Sequence, residues 1–224
     1  MNQLGVLGGM GPAASAEFLS RLVAKTPAHC DQEHIPTVLW SDPRVPDRST
    51  AMIAGNNKPL PWLERGVRGL QQAGCDHIVI PCNTAHFWYN ELVELGTPIT
   101  HIVDAVAQEL IRLEVQGTIA VLGTTATMTM NLYQNRLIDW ECVTAQGQDA
   151  EQVQQAIDLV KAGFVSDANK LASPVIQSFV QKGAQAVILG CTELPLAITQ
   201  SWWLDIPVVN SIDSLVNAVL QLDR

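Results

Sequence analysis

The sequence predicts an α/β protein built from two similar doubly wound, mainly parallel-sheet lobes related by a pseudo-twofold, with its site in the cleft between them. Three observations lead there. Strand-like apolar runs alternate with helix-period segments along all 224 residues, the pattern of sheets covered by helices. The runs "HIVIPC" and "AVILGC" are continuously apolar, as parallel strands buried on both faces must be. The pattern also restarts at one offset: Cys82 and Cys191 are 191 − 82 = 109 positions apart, and so are Gly74 and Gly183, Pro98 and Pro207, and Asp104 and Asp213. Chance similarity drifts, whereas a true repeat holds its spacing. The expected lobes are 1–97 plus 208–224 and 98–207, with the last helix crossing back onto the first lobe.

Each element has a local reason. Leu4 to Leu7 is an apolar strand, and "GGMGP" turns it into a helix that begins near Pro12, where a missing amide hydrogen costs nothing. Ile35 to Asp42 reads as the next strand, and the prolines of "PRVPDRST" predict a loop after it. Leu63, Val67 and Leu70 keep a helical period up to Gly74. "HIVIPC" is a strand, with a helix near Asn90, a strand at "PITHIV" and a helix from Asp104 to Leu113. The second round predicts strand "TIAVLG", a helix over Met130 to Leu137, strand "ECVTAQ" and helices over Glu151 to Lys161 and Pro174 to Lys182. Strand "AVILGC" and the strand and helix of "IPVVNSIDSLVNAVLQL" close the chain.

Composition limits the function. With 47% hydrophobic and 16% charged residues the chain can bury a substantial core. A net charge of −9 argues against nucleic acid as a partner, which needs a basic face. An anionic ligand stays open, because a small site can be basic inside an acidic protein. No apolar run approaches the roughly 18 residues of a membrane span and no secretory leader pattern opens the sequence, so a cytoplasmic location is expected. Five cysteines at irregular spacing make no disulfide framework.

Two of those cysteines suggest chemistry. Cys82 and Cys191 close equivalent strands and run into "NTAH" and "TELP". Ligands of open parallel sheets bind at such carboxyl ends, and a helix start there favours thiolate. Two thiols on opposite walls of one cleft suit inversion of a stereocentre, in which one face loses a proton and the other gains one. Cys30, Cys75 and Cys142 read as small packing residues.

The motifs "GVLGGMGP", "DQEH", "PDR", "PCNTAH", "LVKAG" and "GCTELP", in this order, resemble the aspartate/glutamate racemase family and its aspartate racemase branch over essentially the whole chain. Glutamate racemases proper carry an aspartate and serine in the opening turn and a histidine where this chain has Glu193. The resemblance implies a cofactor-independent racemase of a small dicarboxylic amino acid, with Cys82 and Cys191 catalytic. It further implies that Arg48 and Lys161 hold substrate carboxylates. Asn83, Thr84, Thr124 and Thr192 can donate to a carboxylate or to the enolate-like transition state, or simply cap helices. Met10 shapes the pocket in this reading, while His86 and Glu193 either tune the thiols or serve as satisfied structural groups. No metal and no cofactor is expected, and a homodimer is, with Trp202 and Trp203 in the core or at an interface.

Other readings remain open at this level. Gly9, Gly11 and Ala14 match a dinucleotide-binding G-x-G-x-x-A turn. A metal site is conceivable from His29, Cys30, Glu33 and His34, or from Cys82, His86 and Cys191. A non-catalytic dicarboxylate binder and an isomerase of another small carboxylic acid would share many of these features.

Overall fold

The structure, a computed structural model, describes residues 1–222; the last two residues of the expected first lobe, 223–224, lie outside the described residues. In the first half, strands β1 (Leu4–Gly8), β2 (Thr37–Ser41), β3 (His77–Val79) and β4 (Ile99–Thr100) form a parallel sheet in the order β2-β1-β3-β4. In the second, β5 (Thr118–Leu122), β6 (Glu141–Thr144), β7 (Ala186–Leu189), β8 (Trp202–Trp203) and β9 (Ile206–Asn210) are ordered β6-β5-β7-β9-β8, parallel except for the short antiparallel edge β8. The first four strands of each order correspond, as a duplicated unit requires. β4 joins the first sheet and β9 the second, so sheet membership runs three residues past the expected limits at 97 and 207.

Helices α1 (Pro12–Lys25), α2 (Arg48–Ile53), α3 (Leu60–Gln72), α4 (Tyr89–Val93) and α5 (Ile102–Arg112) belong to the first half. Helices α6 (Thr125–Thr129), α7 (Gly147–Lys161), α8 (Val165–Gln181), α9 (Leu194–Ala197) and α10 (Ser211–Leu222) follow. Three apolar layers result. Leu63, Val67 and Leu70 of α3 cover one face of the first sheet with Ile78 and Ile80. Val153 and Ile157 of α7 and Val175 and Ile176 of α8 cover the outer face of the second with Val187 and Leu189. Between the sheets lies a shared core, in which Val6 and Phe18 meet Ile119, Val121, Ile188 and Leu215. Truncating one of these central residues to alanine costs about 2–5 kcal/mol. Among the described residues no helix is long and apolar enough to cross a membrane.

Several local expectations are corrected. "PRVPDRST" is not loop to its end: Asp47 accepts the Thr50 amide at 2.7 Å and caps α2. The strand at "PITHIV" stops at Thr100, because the His101 ring accepts the Val103 amide and starts α5. Met130 to Leu137 is not a helix. Thr124 caps the short α6 instead, and Asn131 at φ 57° diverts the chain so that Leu132, Tyr133 and Leu137 turn into the shared core. Helix α8 begins nine residues before Pro174 and runs through it, with Ala168 and Ala172 buried ahead of the proline. Cys30 is exposed rather than packed; Cys75 is buried and Cys142 half-buried. Trp202 is exposed on the edge strand, while Trp203 packs on the second core and donates to Gln177 at 2.8 Å.

Candidate active site

The βα turns at the carboxyl ends of both sheets meet in a narrow cleft of about 20 Å³. Its first-lobe wall carries Met10 after β1, Arg48 at the start of α2, and Cys82, Asn83 and Thr84 after β3. Its second-lobe wall carries Thr124 after β5, Lys161 at the end of α7, and Cys191, Thr192 and Glu193 after β7. Every residue expected at the site except His86 lines this one cleft.

Gly9 makes the first turn possible. At φ +88°, a Cβ there would sit 2.4 Å from the Asp42 backbone nitrogen, so only glycine fits. The turn's amides are already bonded: Gly9 donates to Ser15 Oγ at 2.9 Å and Gly11 to Glu193 Oε1 at 3.0 Å. These are two of the amides a dinucleotide phosphate would need in this turn.

Both cysteine turns reach across the cleft. Asn83 Nδ2 donates to Ser211 Oγ at 3.1 Å, and Tyr133 OH donates to Asn83 Oδ1 at 2.6 Å. Thr84 Oγ1 lies 3.1 Å from Thr124 Oγ1 and 3.3 Å from Thr127 Oγ1. From the other side, Glu193 takes the Gly11 amide with Oε1, and its Oε2 accepts Cys191 Sγ–H at 3.0 Å. Ser49 Oγ accepts the Ala126 amide at 3.1 Å and closes the rim.

The thiols do not match the expectation that helix starts would make them acidic. Burial pushes Cys82 up; the nearby Arg48 charge pulls it back, and Glu193 pushes it up again. Burial raises Cys191 well above the usual thiol range, the Glu193 carboxylate adds to this, and Lys161 pulls weakly the other way. The cause is geometric. The turns after the cysteines are a five-residue 3-10 turn (Thr84–Trp88) and the four-residue α9, too short for a strong dipole, while both sulfurs are nearly fully enclosed.

His86 sits behind the cleft. The Ile102 amide donates to its Nε2 at 3.2 Å, so its proton is on Nδ1, which donates to the Cys82 carbonyl at 2.9 Å. Burial holds its pKa down to about 4. It fixes the backbone of the Cys82 turn and stays neutral.

Arg48 supplies positive charge on a held frame. Its Nη1 donates to the Val45 and Pro46 carbonyls at 3.0 and 3.2 Å, and its buried Nε has no protein partner. An unspent buried donor costs roughly 1–3 kcal/mol, a cost that a bound anion would relieve. Lys161 is about one-third exposed at the rim, with Asp158 at a loose 3.8 Å. Asp47 and Ser49 line the same rim and were missed by the sequence reading, although Asp47 three residues before Thr50 is a cap signal. Tyr133 and Ser211, which brace Asn83, carry no sequence signal, since only the folded chain brings them together.

Residues 7–219 match the family model described as Asp/Glu/Hydantoin racemase. Among solved structures, the aspartate racemase of Picrophilus torridus superposes with a TM-score of 0.89 at 30% identity, over 99% of this chain and 94% of that one. A glutamate racemase of Francisella tularensis in complex with D-glutamate gives 0.73 at 19% identity, over 99% and 80%, a likeness of fold alone. A broad specificity amino-acid racemase of Bacillus subtilis is 25% identical over 223 residues, spanning 97% of this chain and 96% of its own. The chain therefore belongs to the Asp/Glu/hydantoin racemase family, a family of isomerases.

Proposed function

We propose that this protein is a cofactor-independent amino-acid racemase that interconverts L- and D-aspartate, with glutamate as the second dicarboxylic candidate, through a two-base reaction of Cys82 and Cys191. The observation that carries the reading is the convergence of two equivalent thiols, one from each lobe, on one small cleft whose rim holds Arg48 and Lys161. The aspartate racemase similar to this chain at 30% identity supports aspartate; the broad-specificity relative is the reason to test other side chains.

In this reading Arg48 and Lys161 grip the carboxylates, and the α-carbon lies between the sulfurs. A thiolate removes the α-proton on one face, the electron pair spreads into the carboxylate, and the opposite thiol returns a proton to the other face. The thiols exchange protonation states, and the enantiomer leaves. Burial keeps the resting thiols weakly acidic, so the substrate's ammonium, arriving beside them, helps form the thiolate. The dianionic intermediate is the difficult species. Arg48, Lys161 and the hydroxyls of Thr84, Thr124 and Thr192 are preorganised around it, where enclosed donors act most strongly. Asn83 has one amide hydrogen left after bracing the lobes.

A mechanism that needs free thiols fits a reducing cytoplasm. We extend the proposal to a homodimer, supported by Trp202 and Leu204 being 55% and 71% exposed beside the sheet edge; sedimentation equilibrium tests it. The deciding experiment for function incubates each enantiomer of aspartate, glutamate and alanine in deuterated water, and follows inversion by chiral chromatography and α-deuterium by NMR. Aspartate is expected to invert in both directions with α-deuterium incorporated. A dicarboxylate binder would bind without exchange, and an isomerase of another acid would leave every amino acid untouched; either result rejects the proposal.

A further inference from the structure

We infer that Glu193 is a positioning residue that holds the proton on Cys191, making it the acid of the pair and leaving Cys82 the sulfur that is deprotonated first when the thiolate forms. The inference rests on the two-thiol reading above and concerns what that reading leaves open, namely which sulfur gives up its proton first.

The repeat places Thr84 and Glu193 at equivalent positions, each two residues beyond its cysteine. Both cross the cleft to the opening turn of the opposite lobe, Thr84 to Thr124 and Glu193 to Gly11. The task is shared, yet one side uses a neutral hydroxyl and the other a carboxylate. With Oε1 committed to Gly11, Oε2 is left 3.0 Å from Cys191 Sγ and 3.4 Å from Thr192 Oγ1. An ionised carboxylate only accepts. The Cys191 contact is therefore a hydrogen bond while sulfur carries its proton and a like-charge repulsion once it does not.

Other groups around the sulfurs leave this asymmetry in place. Lys161 acts on Cys191 from the half-exposed rim, where solvent screens it. Tyr133, the other titratable group on that side, is a buried neutral phenol bonded to Asn83. Around Cys82 the charged groups are Arg48 and, opposing it, Glu193. Asp47, at the same rim, interacts with both Arg48 and Lys161, and His86 is neutral and faces away. The thiol directions agree: Cys191 is raised with its nearest carboxylate adding to burial, whereas Arg48 opposes the rise of Cys82.

The consequence is kinetic asymmetry in a reaction whose equilibrium is symmetric. Because the two enantiomers have equal free energy, kcat/KM must be the same in both directions. Bias in the resting enzyme then appears as unequal KM values with matching unequal kcat values, the higher KM belonging to the enantiomer that needs the sparsely populated form.

The test reads the sulfurs directly. Iodoacetamide alkylation of the intact protein is followed across pH, each cysteine being quantified by mass spectrometry, in wild type, Glu193→Gln and Glu193→Thr, the last supplying the hydroxyl found at Thr84. In wild type, Cys191 is expected to titrate at higher pH than Cys82. Glu193→Gln is expected to lower the Cys191 midpoint by about one pH unit, roughly a tenfold gain in thiolate below the midpoint, while moving Cys82 less. Equal midpoints in wild type, or an unmoved Cys191 midpoint in Glu193→Gln, overturn the inference. The wild-type order decides by itself should neither variant fold. Alkylation needs no turnover, so its outcome is separate from that of the racemisation assay.

Discussion

After β3 the chain turns through Cys82 under the hold of an imidazole, His86, whose two nitrogens bind the Cys82 carbonyl and the first amide of α5. After β7 the equivalent turn through Cys191 has Pro195 at the position of His86, buried in α9, and the polar hold passes to Glu193, which reaches Sγ and the opposite lobe together. One wall is thus fixed through its backbone and the other through its reacting atom. Identical topology does not make the two thiols equivalent: side chains two and four positions beyond each sulfur, and the cation nearest it, decide how each behaves.

The largest effect expected comes from removing either sulfur. Cys82→Ser and Cys191→Ser should each lower racemisation by at least about 100-fold, the low end of what a positioned acid or base contributes. Each should still exchange the α-hydrogen of one enantiomer only, the one facing the remaining cysteine, as read by NMR in deuterated water. Exchange of both enantiomers in one mutant would break the one-face-per-lobe picture.

The cations come next. Arg48→Ala should lower kcat/KM for aspartate by roughly 10- to 100-fold, the scale of a lost charge-assisted hydrogen bond, and Lys161→Ala by less because its head is partly solvated. Equal losses would show that both walls bind carboxylate with similar strength.

Stability separates the lobes more gently. Gly9→Ala meets backbone at φ +88°, whereas the equivalent region of the second lobe offers Gly123, whose added Cβ first meets a side-chain methyl of Thr127 at 2.8 Å. We expect Gly9→Ala to cost about 1–3 kcal/mol and Gly123→Ala less, measured by urea denaturation. The reverse order would locate the rigid turn in the wrong lobe.

The smallest difference is in pH. His86 titrates at about 4 in the folded chain, below the 6.5 of a free imidazole. Between those values the unfolded chain binds a proton that the folded chain lacks. Its contribution is complete above pH 6.5 and declines as pH falls to about 4; His101, held down to about 2 by burial, acts in the same sense over a longer range. His86→Gln should reduce the pH slope of stability between 4 and 6.5, and an unchanged slope would assign it to other groups.

Much of this was legible in sequence because the repeat and the apolar strands act through spacing alone. A fixed offset survives folding, and so the two sheets repeat one strand order; ten of the eleven expected site residues line one cleft, although Arg48 and Lys161 are legible only through the family motifs "PDR" and "LVKAG" and not through the repeat. Of the two roles open to His86 the structural one is seen, because a four-residue step after Cys82 on a tight turn points the ring back to the carbonyl rather than into the cleft. Thiol acidity was misjudged by treating helix starts as long helices. Helix boundaries at Thr125, Arg48 and Ile102 depend on single caps, Thr124, Asp47 and His101, signals easily outweighed by nearby prolines or by an apolar run. Pro174 misled in the opposite way, since packing of α8 on the second core overrides a local break.

Helix α10 follows the last strand of the second sheet yet packs between α1 and α5 of the first half, where Leu215 and Val219 complete the shared core. The inner faces of the two sheets are fully buried only once these residues of α10 have arrived. Duplication therefore did not yield two foldable halves. A nascent chain must remain incompletely closed until helix α10 has been made, and denaturation should proceed as one cooperative transition.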